Sequence, residues 1–159
     1  MRKRALYCLS VVVLTGCSGA VQQMPARSGA LHAIERRTHD LVNAHRVTLG
    51  EKPLLWSDAI AERALIHSQN MAMNKFPLSH RGFEARVKEI ARRIPYNNSA
   101  ENVAMNWGFL DPASKFVEGW LASPGHLENI EGNYTMTGIG VALSADSTYY
   151  ATQIFILAR

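Results

Sequence analysis

The chain has 159 residues, 47% hydrophobic and 19% charged, a balance that fits one globular domain and excludes a disordered or low-complexity protein. Its formal charge of +4 is concentrated at the start: without Arg2, Lys3 and Arg4, Lys+Arg falls from 17 to 14 against 13 acids, a net of +1, which removes any global electrostatic case for nucleic acid. The two cysteines are Cys8 and Cys17, so no disulfide framework or thiolate metal site can form downstream of residue 17.

Met1 to Cys17 opens with a basic triplet followed by an apolar run from Ala5 to Leu14. The run is too short for a stable bilayer span and reads as a signal peptide over residues 1–16. Leu14-Thr15-Gly16-Cys17 resembles a bacterial lipobox. That resemblance implies cleavage before Cys17, its modification with palmitate-type acyl chains, and export to the cell envelope. Two or three chains, at about 0.8 kcal/mol per buried methylene, give a lasting membrane anchor. Ser18, not Asp, follows the cysteine; by the same resemblance this favours the outer membrane of a Gram-negative bacterium. The alternative is an ordinary signal peptide or short anchor in which Cys17 is incidental. Residues 17–30, rich in small and polar types and broken by Pro25 and Gly29, read as a flexible tether. The folded domain is then 31–159.

A first helix is expected from Leu31 to Gly50, with Leu31, Ile34, Thr38, Leu41, Val42, His45 and Leu49 at helical spacing. Ser57 is a candidate N-cap for a second helix. Its stripes Ile60, Ala64, His67, Met71 and Ala61, Leu65, Ser68, Ala72 make a wide buried face, and Pro77 ends it. Phe83, Val87, Ile90, Ala91 and Ile94 mark a third, stopped by Pro95, with Arg86, Lys88, Arg92 and Arg93 as its solvated face. Ser99 to Asn106 alternates as an extended segment. Asp111-Pro112 then starts a fourth helix carrying Phe116, Val117, Trp120 and Leu121. Ser123-Pro124-Gly125 stops it in a tight loop. A final hairpin sets Ile139, Val141 and Leu143 against Gly138, Gly140 and Ala142, turns at Ala145-Asp146-Ser147, and returns over Tyr149 to Leu157. The small face lets another element approach the backbone closely. The fold class is α+β: about four helices around a small antiparallel sheet of two or three strands.

Six histidines are candidates for chemistry. His32 and His39 are expected in solvent; His45 and His67 lie on apolar stripes and read as hydrogen-bonded core residues. His80 and His126 lie instead in irregular links, where functional side chains concentrate. Glu101 shares a strand face with Val103 and Met105, and a carboxylate aimed at a core needs a partner, such as an imidazole or a metal. Two histidines and one glutamate with an open fourth position are a ligand set used by catalytic zinc. The separations of 21 and 25 residues carry no local metal signature, however, and there is no H-E-x-x-H. Ser79 and Ser123 lie near these histidines, but no G-x-S-x-G supports a nucleophile.

Asn43-Ala-His-Arg46, Leu55-Trp56-Ser57, His67-Ser68, Ser79-His80, Ala100-Glu101-Asn102-Val103, Trp120-x-x-Ser-Pro-Gly-His126, Gly138-Ile-Gly140-Val141 and Tyr150-x-x-Gln153 occur in that order. Together, over about residues 31–157, they resemble the CAP superfamily, or SCP domain: cysteine-rich secretory proteins, antigen 5 and pathogenesis-related proteins. The resemblance implies an α-β-α sandwich with a shallow cleft of two histidines and two acids that binds a divalent metal in several members. His80, Glu101 and His126 take three of those positions, with Ser123, Asn102 and Asn129 as cleft neighbours. The fourth acid falls on Ser123, and Glu118 and Glu128 are off register. The chain is thus similar to the smaller, disulfide-free bacterial branch.

Three functions compete. One is an envelope-tethered module binding a lipid, a sterol-like molecule or an envelope component, sterols and fatty acids being ligands of some members. The second is a metal-dependent hydrolase of peptide or envelope polymer, holding a divalent metal such as zinc on His80 and His126, with Glu101 as its weakly supported base. The third is an interaction protein that keeps the His/Glu cluster as a structural network. Binding or interaction ranks above catalysis, because nothing supplies a nucleophile or oxyanion donors.

Overall fold

A computed structural model describes residues 28–159. The signal peptide expected at 1–16, the acylation expected at Cys17 and most of the expected tether lie outside the described residues. The elements are α1 (Gly29–Thr48), β1 (Leu55–Trp56), α2 (Asp58–Ala72), α3 (Phe83–Ala91), β2 (Tyr96–Asn106), α4 (Pro112–Leu121), α5 (Pro124–Glu131), β3 (Met136–Leu143) and β4 (Tyr149–Ala158). Among the described residues no helix is long and apolar enough to cross a membrane.

The α+β class holds, with two corrections. The sheet has four strands in the order β1-β3-β4-β2, and β1 lies parallel to β3 while the other pairs are antiparallel. Two residues are too few for strand alternation to register in the sequence. There are also five described helices, the fifth being α5, where a loop was expected: Pro124 takes its first turn and Ser123 its N-cap position, so a dipeptide read as a stop is also a start.

Several boundaries shift as well. Ser28 Oγ accepts from Leu31 N at 3.2 Å, drawing α1 back into the expected tether. Helix α2 ends at Ala72 rather than near Pro77, through Asn74 in the left-handed region (φ 55°), a conformation asparagine tolerates. Strand β2 begins at Tyr96, three residues early. Asp111 caps α4 as expected, accepting from Ser114 N at 3.3 Å.

Alternation along β4 decides the layers. Ala151 and Phe155 join Val42 of α1, Phe116, Val117 and Trp120 of α4 and Ile130 of α5 in one core. Ile154 and Ile156 join Ile60 and Ala64 of α2 and Val87 and Ile90 of α3 in the other. The small face of β3 meets α2: a Cβ at Gly138 would strike the backbone of Ile60 and Ala61, and one at Gly140 the backbone of Ala64 and Leu65. Ser68 secures this approach, donating to Gly140 O at 2.8 Å and lying 2.8 Å from Thr152 Oγ1.

Candidate functional site

Strand β2 is an edge strand, and its neighbouring residues Glu101 and Asn102 point to opposite layers because side chains alternate. Glu101 pairs in register with Ile154, which belongs to the α2/α3 core. Asn102 faces α5, where its Nδ2 donates to His126 O at 3.0 Å and its Oδ1 accepts from Asn129 Nδ2 at 2.9 Å. One edge of the sheet therefore carries a contact to each histidine-bearing segment.

Residues 77–82 hold His80 beside Glu101. The His80 Nδ1–H donates to Glu101 Oε1 at 3.1 Å, from a side chain 52% exposed to one only 1% exposed. The dominant partner of Glu101 is nevertheless Arg86. Its Nε donates to Oε2 at 2.9 Å, and its Nη2 to Oε1 at 2.7 Å and to Oε2 at 2.6 Å. Burial pushes the Glu101 carboxyl up from its usual value, and Arg86, then His80, oppose that. Arg86 Nη1 also donates to Arg81 O at 2.8 Å and to His67 Nδ1 at 3.0 Å. His67 then carries its proton on Nε2 and donates to Ser79 O at 2.7 Å. Both backbone carbonyls flanking His80 are thus gripped from the core.

Arg86 is a correction: expected on a solvated face, its side chain is only 12% exposed. A helical signal for this existed, since position 86 lies between Phe83 and Ile90 on the stripe assigned to the core. His39 is a second correction. It is buried, 2.9 Å from Leu54 O through Nε2. His45 is half-buried and bonded to Glu131 at 2.9 Å.

His67 meets its core expectation and brings a pH dependence. Burial first, then the neighbouring Arg86 and His80 charges, lower its pKa from 6.5 to about 4 against the raising effect of Ser79 O. Between those values the unfolded chain takes up a proton that the folded one refuses, so stability is full above pH 6.5 and falls as pH drops toward 4. The loss should approach about 3 kcal/mol. Urea midpoints measured from pH 7 to pH 4 should show this, and His67→Gln should remove that part of the slope.

His126 reaches the same edge from the first turn of α5. Its ring centroid is 6.4 Å from that of His80, with the planes inclined at 47°. Burial, then the His80 charge, lowers its pKa from the usual imidazole value. The motif on α1 fixes α5 from below. Arg46, buried, donates through Nη1 to Ile130 O at 2.6 Å and Gly132 O at 2.9 Å, at the negative end of the helix. Asn43 holds Leu54 N and O.

His80, Glu101 and His126 are therefore brought together, with Asn102 and Asn129 bracing them. Ser123 occupies the N-cap position of α5 without a side-chain cap bond, and Glu118 pairs with Lys115 away from the cleft. The geometry does not fit a zinc ion held by all three expected ligands. Tetrahedral zinc with Zn–N of about 2.0–2.1 Å wants two ring centroids about 5 Å apart, closer than is found. Both Glu101 oxygens already accept from a guanidinium. Among the described residues no three of His, Cys, Asp and Glu are grouped to hold a metal ion.

Residues 39–155 match the family described as Cysteine-rich secretory protein family, CAP. The chain belongs to that family. A Bacillus subtilis (strain 168) protein named as the uncharacterized membrane protein YlbC is 36% identical over 129 residues, covering 77% of this chain and 34% of that protein. This chain therefore spans about a third of its relative's length. An extracellular protein of Bacillus anthracis containing an SCP domain is similar in structure: TM-score 0.63 and 27% identity, over 79% of this chain and 40% of the other. An outer surface protein of Borrelia burgdorferi shares the fold at TM-score 0.67 and 17% identity, over 78% of this chain and 92% of the other. CAP membership accounts for the ordered motifs, and the contacts give them physical roles. Arg46, His67, Glu101 and Asn102 hold the two histidine-bearing segments, while Ser68, Gly138 and Gly140 join α2 to β3.

Proposed function

We propose that this CAP domain is an extracytoplasmic, envelope-tethered binding module and not a hydrolase. The observation that carries the reading is the Arg86 clamp on Glu101. A general base needs a free lone pair within reach of its substrate, and a metal ligand needs one directed at the metal; both Glu101 oxygens are already engaged. What the cleft offers a ligand is the exposed His80 ring and the neighbouring His126 ring. For a lipid-like or envelope ligand, a groove of about 540 Å³ lies between Gly50–Leu55 and Asn133–Thr135, within the size range of small-molecule sites. Leu55 stands exposed on its wall.

The tether would be an acylated Cys17, with the outer membrane favoured by Ser18. Relatives named as membrane, extracellular and outer surface proteins support an envelope location. The test is native mass spectrometry with zinc analysis of the purified chain, beside His80→Ala/His126→Ala. A co-purified lipid-like or envelope ligand, with equal and negligible zinc in both proteins, is expected. Stoichiometric zinc in the wild type, lost in the double variant and accompanied by peptide or envelope-polymer cleavage, would establish the hydrolase instead.

A further inference from the structure

The segment after β2 is Trp107-Gly108-Phe109-Leu110, and it faces water. Relative exposures are 63% for Trp107, 47% for Phe109 and 108% for Leu110. Gly108 takes a left-handed φ of 74°, which turns the chain so that flanking apolar side chains can leave the surface together. The base of the loop is pinned. Asp111 caps α4 and accepts a bidentate bond from Arg37 of α1, with Nη2–Oδ2 at 2.6 Å and Nε–Oδ1 at 3.1 Å. Lys115 Nζ lies 5.1 Å from the Phe109 ring centroid. Three large apolar side chains exposed within four residues are a surface that water disfavours and a partner would cover.

The position of the loop indicates what it meets. Glu35 of α1 accepts from Val141 N at 2.9 Å, while Asn43, two turns later, holds Leu54, just before the β1 residue paired with Met136. So α1 runs antiparallel to β3, and Ser28 lies toward the Leu143 end of the sheet. The register Asn106–Tyr149–Leu143 puts Trp107 at that same end. Cys17 precedes Ser28 by eleven residues, a stretch that spans at most about 40 Å. The apolar loop and the attachment point of the proposed anchor therefore share one end of the domain.

We propose that Trp107–Leu110 inserts into the interface of the lipid bilayer to which the chain is tethered, seating the domain in a fixed orientation. The proposal rests on the acylated Cys17 reading. Trp at the headgroup level, Phe and Leu deeper, and a lysine able to reach anionic headgroups is the chemistry of interfacial insertion. Leu110, fully clear of the protein surface, suits insertion into lipid better than a groove suits a peptide. Confinement by the tether makes a weak insertion effective, since the local membrane concentration is high.

The full chain is expressed in a bacterium and its processed form is presented to vesicles of phosphatidylethanolamine and phosphatidylglycerol, 3:1, with brominated acyl chains. An unacylated chain beginning at Ser18, without the leader, and Trp107→Phe and Leu110→Asp variants run in parallel. The emission assigned to Trp107 by difference should shift to the blue and be quenched. Leu110→Asp, which removes no packing, should lower vesicle partition of the chain beginning at Ser18 roughly tenfold or more. The proposal is overturned by unquenched Trp107, by equal partition of Leu110→Asp, or by a blue shift that follows protein concentration without vesicles, which would mean self-association. The mass of the N-terminal peptide reports separately on Cys17: a missing acyl group removes the anchor, while quenching of the unacylated chain still decides the loop.

Discussion

Alanine at Gly140 should lower stability by about 3 kcal/mol or more, or prevent folding outright. A Cβ there would overlap the backbone nitrogen and Cα of Leu65. Backbone atoms cannot swing aside as a rotamer can, so the whole of α2 would have to retreat. Retreat would open the Ile60/Ala64 contact with Ile154 and Ile156 and break the Ser68 bond to Gly140 O. The control is the same substitution at Gly119 of α4, exposed and with nothing within 4 Å of its added Cβ. Alanine there should stabilise by about 0.5–1 kcal/mol, because glycine is the weaker helix former. Urea unfolding with unchanged m-values measures both. A Gly140→Ala midpoint equal to wild type would show that the α2–β3 contact is looser than the geometry states.

The second large effect is expected at Arg86. Arg86→Met leaves the Glu101 carboxylate buried with only the half-exposed His80 beside it. Breaking a buried ion pair from one side costs about 3–5 kcal/mol, because the remaining charge stays desolvated. Arg86→Met/Glu101→Leu removes the pair together and should recover most of that loss. Arg86 also holds Arg81 O and His67 Nδ1, so the single variant should loosen the His80 segment as well. His80 ring resonances should broaden or shift in Arg86→Met while those of His39, held by Leu54 O, stay in place. Additive losses across Arg86→Met, Glu101→Leu and the double variant would mean that Arg86 and Glu101 do not act as a unit.

Much of the site was legible because its determinants are local or chemically unusual. His80 and His126 stood out in links between helices, and Glu101 as a carboxylate on a core-facing position. The structure brings all three to the β2 edge. Arg86 was misread because lysine and arginine on a helix of mixed charge are usually solvated. Its burial depends on Glu101, fifteen residues away and across a layer. Burial of His39 likewise depends on Leu54 O, which only the return of the chain after α1 supplies. Helix α5 escaped because Ser-Pro-Gly is compatible with both the end of one helix and the start of the next.

By itself the sequence determined what short-range physics controls. The periods of the long helices and of the β3–β4 hairpin, the Asp111 cap, the small face at Gly138 and Gly140, and the candidate histidines all follow from spacing and residue type. Tertiary structure alone decided the parallel pairing of β1 with β3, the meeting of two helical layers at one sheet edge, and the capture of the Glu101 carboxylate by an arginine of this chain. Those outcomes depend on contacts between residues far apart in sequence, where burial changes the electrostatics of each partner and no local pattern records which partner arrives.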